Sequence, residues 1–515
     1  MKPSNELFML VKSLSKSEKR FFKLSSSIQA GDKNYLRIFD FIEKQNEYDE
    51  DELKNAFQEE TFIKHLPSEK NHLYRLILKS LRSYYGEQTI SSILKQEIKN
   101  IEILYARALY KECVKFLIRA KRLAKEYEKF YYLFELIEWE KKLIEESYEF
   151  GNFDANLNEL IIEETQVIEQ LRNLAEYQIL YSRINYIFRS GVFTKNREER
   201  AIVDAIADNH LIKGKNTALS TRAASICYYI KGLCAATNRN YQDSYIFFNR
   251  TREILDKHPK LKLDLGKRYM LTLFHLVKCY IDDRNYELAQ ITVYEIKSLS
   301  GQKGFDSTDL KVKIAALYYN EQLNLLNMKG DFEAAVNFID EIQRDIGLLG
   351  DKISKEQNLK LLFNSAYSYF GNQEYKKCLQ LINDILNDNE STLRQDIFGF
   401  SRLLNLLVHL ELENFDFLEY EVKSTSRFFN KTERDNKIEG FLIKNVRKLT
   451  KSQSQLSKSD IYETMYAELK VLLEDHNEQV ILEYFDILGW ACSKIKGMTL
   501  GEAIKYELAK PKKLN

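Results

Sequence analysis

The sequence of 515 residues is poor in the residues that interrupt helices, with only 4 prolines and 18 glycines. This low content excludes collagen-like chains, flexible linkers and turn-rich all-β folds. Proline fixes φ and lacks a backbone donor, so helix interiors avoid it. No proline lies between Pro67 and Pro259, or between Pro259 and Pro511. These long intervals favour an almost entirely α-helical chain.

Features of secreted and membrane proteins are also missing. The six cysteines are scattered without a CxxC pair, which is typical of reduced thiols in a cytoplasmic protein. No stretch approaches the length of an uncharged membrane span, and the N-terminal apolar run is too short for a signal peptide. With 77 basic and 76 acidic residues the net charge is +1, so no global field directs the chain to nucleic acid or membrane. We expect a cytoplasmic protein.

Signatures of catalysis are absent from the sequence as well. There is no GxGxxG, GxxxxGK[ST], HExxH or GxSxG motif. The nearest approaches to a metal or nucleophile site are the pairs Cys227/Cys234 and Cys279/His275, and neither has an evident third group. Buried small hydrophobic side chains are the favoured interpretation of these cysteines. We therefore predict no enzyme activity, no catalytic residues, no metal site and no cofactor.

Helical periodicity is what the sequence has instead. Apolar residues between Val167 and Phe188 recur at steps of three, four or seven, which places them on one helical stripe. Convincing strand-like alternation is not found, so the predicted class is all-α. Three capping boxes are predicted, formed by Ser15 with Glu18, Asp49 with Glu52, and Asp460 with Glu463.

A motif recurs in the second half of the chain. It consists of an aromatic residue that begins a second helix, a small residue three positions later, and then a large apolar residue. Small residues let paired helices approach closely, while aromatic rings fill the gaps between pairs. Its four copies are Tyr241/Ser244/Phe248, Tyr286/Ala289/Val293, Phe332/Ala335/Ile339 and Tyr375/Cys378/Ile382.

Weaker copies of the motif lie on either side. One begins at Tyr110, with Cys113, Leu117 and Ala120, and a degenerate copy surrounds Phe415. The interval from Tyr110 to Tyr241 has room for three periods at the spacing of the stronger copies. The motif therefore indicates a repeat array over most of the chain.

This pattern resembles tetratricopeptide (TPR) repeats, with degenerate copies and a longer period than usual. The resemblance covers residues 95–430 and is firmest over 220–390. It implies an α-solenoid of stacked helical hairpins, arranged as a TPR-like right-handed superhelix with an N-terminal helical cap. The predicted domains are an N-terminal helical domain (1–90), a TPR-like solenoid (91–449), a Ser/Lys/Gln-rich linker (450–459), and a C-terminal helical cap with a basic tail (460–515).

The repeat register predicts a binding face. The first helix of each hairpin would line the concave side, where Asn320, Asn324 and Asn327 fall at i, i+4 and i+7. Asparagine offers a donor and an acceptor together, which suits the backbone of a bound peptide; the alternative is an exposed polar face that needs no ligand. The candidate partner-binding residues are Tyr229, Phe274, Lys278, Asn320, Asn324, Asn327, Asn364 and Tyr367.

The N-terminal region supports an alternative. Three predicted helices, over Tyr35–Gln45, Asp49–Phe57 and Ser68–Tyr85, resemble a helix-turn-helix domain. A helical cap remains the favoured interpretation, because end repeats must present a polar outer surface. The last of the three helices carries His72, Arg75, Lys79 and Arg82 as candidate nucleic-acid contacts.

Two functions follow from these patterns. The favoured one is a non-enzymatic scaffold or adaptor that binds a protein or peptide on the concave face. The alternative is a bacterial transcription regulator, with DNA-binding N-terminal helices and a TPR-like sensor domain. Nucleic acid is possible but not favoured as a partner, no membrane association is expected, and the oligomeric state is left open.

Overall fold

The computed structural model describes residues 5–27, 34–149, 157–191, 197–349, 352–388, 393–431, 437–451, 455–475 and 478–510. Over these ranges the chain forms α-helices and short 3-10 segments, without a strand, which confirms the all-α class. None of the described helices is both long and apolar enough to cross a bilayer. The chain divides into two compact units, Met1–Val167 and Ile168–Asn515.

The first unit contains α-helices and one 3-10 helix. Its last α-helix, residues 157–191, continues into the second unit. The 3-10 helix covers Thr61–His65. The α-helices are α1 (Glu6–Ser13), α2 (Lys16–Ser27), α3 (Asn34–Lys44), α4 (Glu50–Ala56), α5 (Leu66–Tyr84), α6 (Ile90–Tyr105), α7 (Tyr110–Glu126), α8 (Phe130–Glu149) and α9 (Leu157–Gly191).

Helices α1 to α5 share a hydrophobic core that extends from Leu7 to Ile77. The capping box predicted at the start of α2 is confirmed: the backbone N–H of Ser15 donates to Glu18 Oε2 at 2.6 Å, and the N–H of Glu18 donates to Ser15 Oγ at 3.3 Å. Asp49 caps α4 by accepting from two backbone N–H groups. Local start signals were therefore sufficient to place these helices.

The weak repeat copy at Tyr110 forms a helical hairpin of α6 and α7. Tyr110 is the first residue of α7, and Cys113, Leu117 and Ala120 are buried. The three further periods expected before Tyr241 are wrong, because residues 157–191 form one helix of 35 residues. This helix contains no proline, and its one glycine is its last residue, Gly191, so the turns that hairpins need are missing.

The second unit contains the remaining helices, together with a 3-10 helix over Glu478–Glu483. The α-helices are α10 (Arg197–Ala207), α11 (His210–Lys213), α12 (Thr221–Thr237), α13 (Tyr241–Lys257), α14 (Pro259–Asp264), α15 (Gly266–Asp282), α16 (Tyr286–Ser298), α17 (Thr308–Met328), α18 (Phe332–Leu349), α19 (Lys355–Gly371), α20 (Tyr375–Leu386), α21 (Gln395–Glu411), α22 (Phe415–Lys431), α23 (Lys437–Lys451), α24 (Gln455–Leu472), α25 (Ile487–Lys496) and α26 (Leu500–Leu508).

Consecutive helices of this unit pair as hairpins, and neighbouring hairpins stack on one another. The pairs are α12/α13, α15/α16, α17/α18, α19/α20 and α21/α22. The first helices α15, α17 and α19 each contact the next first helix in the series. The predicted aromatic residue begins the second helix in every pair, including the degenerate copy at Phe415. The sequence motif thus marks a repeating helical hairpin.

The hairpin turns share one backbone conformation. The residue two positions before each aromatic has positive φ, as in Arg239 (60°), Gln373 (64°) and Gly330 (72°). The following N–H then donates to the carbonyl five residues earlier, for example from Asn240 to Ala235 at 2.9 Å. This is a Schellman turn, which satisfies carbonyls left free at the end of the first helix.

Small residues at the centre of each hairpin allow close approach, as predicted. Ser244, Ala289, Ala335 and Cys378 are almost completely buried. A Cβ added at Gly232 would lie only 2.8 Å from the ring of Phe248 on the partner helix. The aromatic ring occupies the space that the missing side chain leaves.

The linker predicted over residues 450–459 is helical for much of its length. Helix α23 continues to Lys451 and α24 begins at Gln455, while 452–454 lie outside the described residues. The predicted capping box at Asp460 is wrong, because this residue lies inside α24. Lysine, glutamine and leucine are good helix formers, so a polar stretch without glycine or proline can adopt a helical conformation. Of the predicted basic tail, residues 511–515 lie outside the described residues.

Candidate functional site

The second unit contains a cavity of about 720 Å³. This volume is within the range of about 300–1,000 Å³ that is typical of ligand sites. Its walls come from the first helices α12, α15, α17 and α19, from α9 and from the segments that precede α19 and α21. The 3-10 helix near the C-terminus completes the wall with Glu483, and Tyr484 follows directly.

The C-terminal segment is held against the stacked hairpins by several polar contacts. Glu483 accepts from Tyr241 at 2.7 Å and from Arg239 at 3.2 Å. The ring of Tyr484 stacks on Phe400 at 4.0 Å between centroids. Farther along, the backbone N–H of Asp486 donates to the hydroxyl of Tyr367 at 2.9 Å. The chain therefore covers part of its own first-helix face, and the cavity is the part left open.

Three charged side chains from three consecutive first helices meet at the cavity, and we call them the lysine–glutamate cluster: Lys278, Glu321 and Lys360. The carboxylate of Glu321 is completely buried, 2.5 Å from Lys360 Nζ and 3.4 Å from Lys278 Nζ. Both lysines line the cavity. The ammonium of Lys360 also lies 5.2 Å from the ring centroid of Phe274. Two cations share one anion, so the cluster carries one net positive charge.

The surroundings preserve these charges at neutral pH. Burial opposes the ionisation of Glu321, but the charges of Lys278 and Lys360 outweigh it and lower the pKa of the carboxyl group. Burial lowers the pKa of Lys360 to about 8, against the opposing attraction of Glu321. The Lys360 amine thus remains mostly protonated at pH 7, since its pKa lies above that value.

His275 lies beside the cluster as a neutral ring. Its imidazole stacks on Phe248 with the centroids 4.3 Å apart and the planes 6° from parallel, and its Nε2 lies 3.1 Å from the hydroxyl of Tyr229. Burial lowers the pKa of His275 to about 3. Burial also raises the pKa of the Cys279 thiol to about 12, and its Sγ contacts Ser244 Oγ at 3.7 Å. The Cys279 thiol therefore stays protonated at neutral pH, and an imidazole with a pKa of about 3 is too weak a base to activate it.

The three asparagines of α17 divide into two roles. Asn320 Nδ2 donates to the backbone carbonyl of Gln357 at 3.2 Å, and Asn327 Nδ2 donates to that of Asn364 at 3.0 Å. These two amides therefore join α17 to α19. Asn324 lines the cavity, is 5% exposed, and has no hydrogen-bond partner among the described residues. Its amide is available to a ligand.

The structure brings most of the predicted partner-binding residues to this cavity. Tyr229, Phe274, Lys278, Asn324 and Asn364 line it. The remaining three are buried in contacts within the chain: Asn320 and Asn327 bond to α19, and Tyr367 bonds to the C-terminal segment. A peptide ladder on all eight side chains would require these internal contacts to break.

Cations outnumber acids around the cavity. Seven lysine or arginine side chains line it, against three acidic ones. Arg394 bonds to Asp396 at 2.5 Å, and Arg189 bonds to Glu356 at 2.7 Å. Burial alone would raise the pKa of Asp396, but Arg394 and the Tyr484 hydroxyl lower it to about 2. These pairs balance part of the charge of the wall, and the lysine–glutamate cluster contributes part of the excess positive charge.

Several residues of the site were not found by sequence reasoning. Glu321 and Lys360 are 39 residues apart, and no sequence spacing predicts their contact. The one signal available in the sequence was Lys360, a charged residue that stands between Leu359 and Leu361. Arg394 precedes α21 and pairs with Asp396, which also accepts a hydrogen bond from Tyr484 of the distant C-terminal segment.

The four candidate nucleic-acid contacts lie on one exposed face of α5. His72, Arg75, Lys79 and Arg82 of α5 are all exposed, and the structure gives them no ion pair among its described residues. Helix α4 is separated from helix α5 by residues 57–65, which include a 3-10 helix. This connection is longer than the three- or four-residue turn of a helix-turn-helix motif.

Potential metal ligands do not cluster in the part of the chain that the structure describes, where no group of three His, Cys, Asp or Glu side chains converges. A scan against protein-family models gives no match for this chain, and no curated protein sequence matches it. The structure therefore describes an all-α, helical-repeat-like chain with a cavity lined by an excess of cationic side chains.

Proposed function

We propose that this protein is a non-enzymatic scaffold that binds a short segment of a protein partner in the cavity of its second unit. The supporting observation is the Asn324 amide, which is nearly buried, faces the cavity and has no hydrogen-bond partner among the described residues. An amide that has no partner within the chain and faces a cavity can exchange its contact with water for a hydrogen bond to a ligand. The hairpins that carry this site are TPR-like in our interpretation, on the evidence of their motif and turns.

The size of the cavity limits the ligand to a short segment. A volume of about 720 Å³ suits a few side chains rather than a folded domain. Phe274 and Tyr229 provide apolar surface beside the polar groups, as in most ligand sites. A flexible loop or terminus of the partner is therefore the proposed binding element.

Two asparagine variants on the same helix test this proposal. Asn324→Ala removes the free amide and should weaken binding of a captured and purified partner about tenfold, with little change in stability. Asn320→Ala breaks an internal bond and should instead lower the free energy of unfolding by about 1–3 kcal/mol. Titration calorimetry and urea denaturation measure the two effects. A partner that binds the wild type and Asn324→Ala equally would contradict the proposed site.

A second candidate function rests on the exposed basic face of α5. Four cationic or titratable side chains without ion pairs suit a polyanion such as DNA. The double variant Arg75→Ala with Lys79→Ala should reduce retention on DNA and flatten its dependence on salt. Equal retention by variant and wild type would leave the cavity as the proposed site of function.

A further inference from the structure

The lysine–glutamate cluster is unbalanced in a way that ordinary buried ion pairs are not. Charges removed from water are normally matched, because an unpaired buried charge is costly. Here the Glu321 carboxylate has Lys360 at 2.5 Å and Lys278 at 3.4 Å, while its Oε2 atom has no hydrogen bond among the described residues. One ammonium charge therefore remains without a full counter-charge beside the cavity.

The groups around this charge define what would complete it. Asn324 lies one helical turn from Glu321 and offers a free amide donor at the cavity wall. Phe274 lies next to Lys360 and supplies an aromatic surface. His275 is neutral and does not compete as a cation. A ligand that fits all of these groups has one anionic head and a compact apolar or aromatic body.

We propose that the cavity binds a compact organic anion, with one carboxylate or phosphate group seated at Lys278, Lys360 and Asn324. This inference rests on the cavity of the proposed function and names the chemistry of its ligand. The head accepts hydrogen bonds from the two ammonium groups and the amide, and the body packs against Phe274. The anion comes either from a free small molecule or from an acidic side chain of the partner segment.

Calorimetric titration of the full chain with defined probes tests the proposal. The probes are 4-phenylbutyrate, its uncharged analogue 4-phenylbutyramide, phenyl phosphate, and an acetylated, amidated pentapeptide Ala-Phe-Glu-Phe-Ala whose one charge is its glutamate. We expect at least one anionic probe to bind and the uncharged amide to bind about tenfold more weakly or not at all. Comparable binding of phenylbutyrate and its amide would overturn the proposal.

Charge variants place the anion at the cluster. Lys278→Gln leaves a balanced Lys360–Glu321 pair and should weaken the anionic probe about tenfold. Glu321→Gln removes the competing carboxylate and should strengthen it. Lys257, an exposed residue of α13, gives a matched control: Lys257→Gln removes the same charge and should leave affinity unchanged. If Glu321→Gln does not fold, Lys278→Gln against Lys257→Gln decides, and equal affinities would overturn the proposal.

The outcomes separate this inference from the proposed function. Tight binding of phenylbutyrate or phenyl phosphate with weak binding of the pentapeptide identifies a free small molecule as the source of the anion. This result supports the anion site and contradicts the proposed peptide-binding function. Preference for the pentapeptide identifies a partner's acidic side chain. A partner that requires Asn324 but is insensitive to Lys278→Gln supports the function and overturns the anion site.

Discussion

At the scale of single residues, the charge balance around Glu321 makes the stability of the fold sensitive to one carboxylate. This carboxylate is fully buried between Lys278 and Lys360, each of which keeps part of its side chain exposed. Burial of the anion is tolerated only because two cations accompany it. The lysines and the glutamate therefore differ in importance. Removal of the charge of one lysine leaves a neutral ion pair, whereas removal of the glutamate charge leaves two cations.

This asymmetry gives a stability prediction. Glu321→Gln should lower the free energy of unfolding by about 3 kcal/mol, because it leaves two ammonium groups close together without an anion. Lys278→Met should cost less than about 1 kcal/mol, because the Lys360–Glu321 pair remains and the apolar stem is retained. Urea denaturation of both variants measures the difference. Equal losses would show that Lys278 and Glu321 contribute symmetrically.

His275 gives a prediction about pH. Its pKa in the fold is about 3, below the ordinary value of 6.5, so the folded protein keeps the ring neutral while the unfolded chain protonates it. The stability that this difference contributes is complete above pH 6.5 and is lost as pH falls towards 3, by up to about 1.4 kcal/mol per pH unit. His275→Phe should therefore flatten the decline of unfolding free energy between pH 6 and pH 4.5.

An exposed histidine provides the control for this measurement. His258→Phe should leave the slope of stability against pH as in the wild type, since this side chain is exposed at the end of α13. Chemical denaturation at several pH values gives the slopes. If His275→Phe has the same slope as the wild type, the ring gains its proton at the same pH in the folded protein and in the unfolded chain, which contradicts the prediction.

At the scale of secondary-structure elements, the hairpin turn is the repeating unit. Each turn places a residue in the left-handed region two positions before the aromatic that begins the next helix. Among the five hairpin turns of the second unit, only the turn at Gly330 has glycine at this position. A Cβ atom added to Gly330 would lie 2.8 Å from the carbonyl oxygen of Gly501. The other turns hold a side chain in a strained conformation.

Opposite substitutions at two turns test this interpretation. Gln373→Gly should raise the free energy of unfolding by about 0.5–1 kcal/mol, since it relieves a positive φ of 64° at a position whose side chain is exposed. Gly330→Ala should lower it by about 2 kcal/mol, because alanine is strained there and its Cβ meets the Gly501 carbonyl. Thermal unfolding measures both signs. A loss of stability in Gln373→Gly would contradict the strain.

The sequence predicted these elements because the information was local. An aromatic, a small residue and a large apolar residue within eight positions of the chain determine a hairpin, and Tyr241, Tyr286, Phe332 and Tyr375 all begin helices as expected. The prediction failed where it relied on composition or extrapolation. Residues 455–459 are helical although polar, and the periods expected before Tyr241 are replaced by α9.

The candidate site was predicted only in part because its contacts are not local. Periodicity placed Asn320, Asn324 and Asn327 on one helix face, but it did not show that α19 packs against two of them. The pairing of Glu321 with Lys360 depends on the stacking of hairpins whose spacing varies along the chain. Contacts of the C-terminal segment, such as Asp486 with Tyr367, join residues more than a hundred positions apart.

At the scale of the whole molecule, the C-terminal segment determines how much of the second unit's first-helix face stays open. Phe485, Ile487 and Trp490 of this segment are at most 2% exposed. Burying large apolar side chains stabilises a fold by about 1.5–3 kcal/mol each, so the segment is part of the core rather than a displaceable lid. The cavity is therefore a fixed feature of the fold.

The two tryptophans test the independence of the units. Trp490 is buried in the second unit and donates to Glu411 at 2.7 Å, whereas Trp139 belongs to α8 in the first unit. Trp490→Ala should lower the stability of the second unit by about 3–5 kcal/mol and accelerate hydrogen exchange in α19 and α21, with α3 and α5 unchanged. Trp139→Ala should leave α19 and α21 unchanged. Loss of protection in α3 on Trp490→Ala would contradict separate cores.

The most direct test of the central claim, that the cavity is the ligand site, is the carbon-13 NMR spectrum of reductively dimethylated lysines. Dimethylation keeps the positive charge, and the signals of Lys278, Lys360 and Lys257 are assigned from their Lys→Gln variants. On titration with 4-phenylbutyrate or phenyl phosphate, we expect the Lys278 and Lys360 signals to shift together and to saturate, while Lys257 does not move. Equal small shifts of all three lysines, without saturation, would contradict the claim.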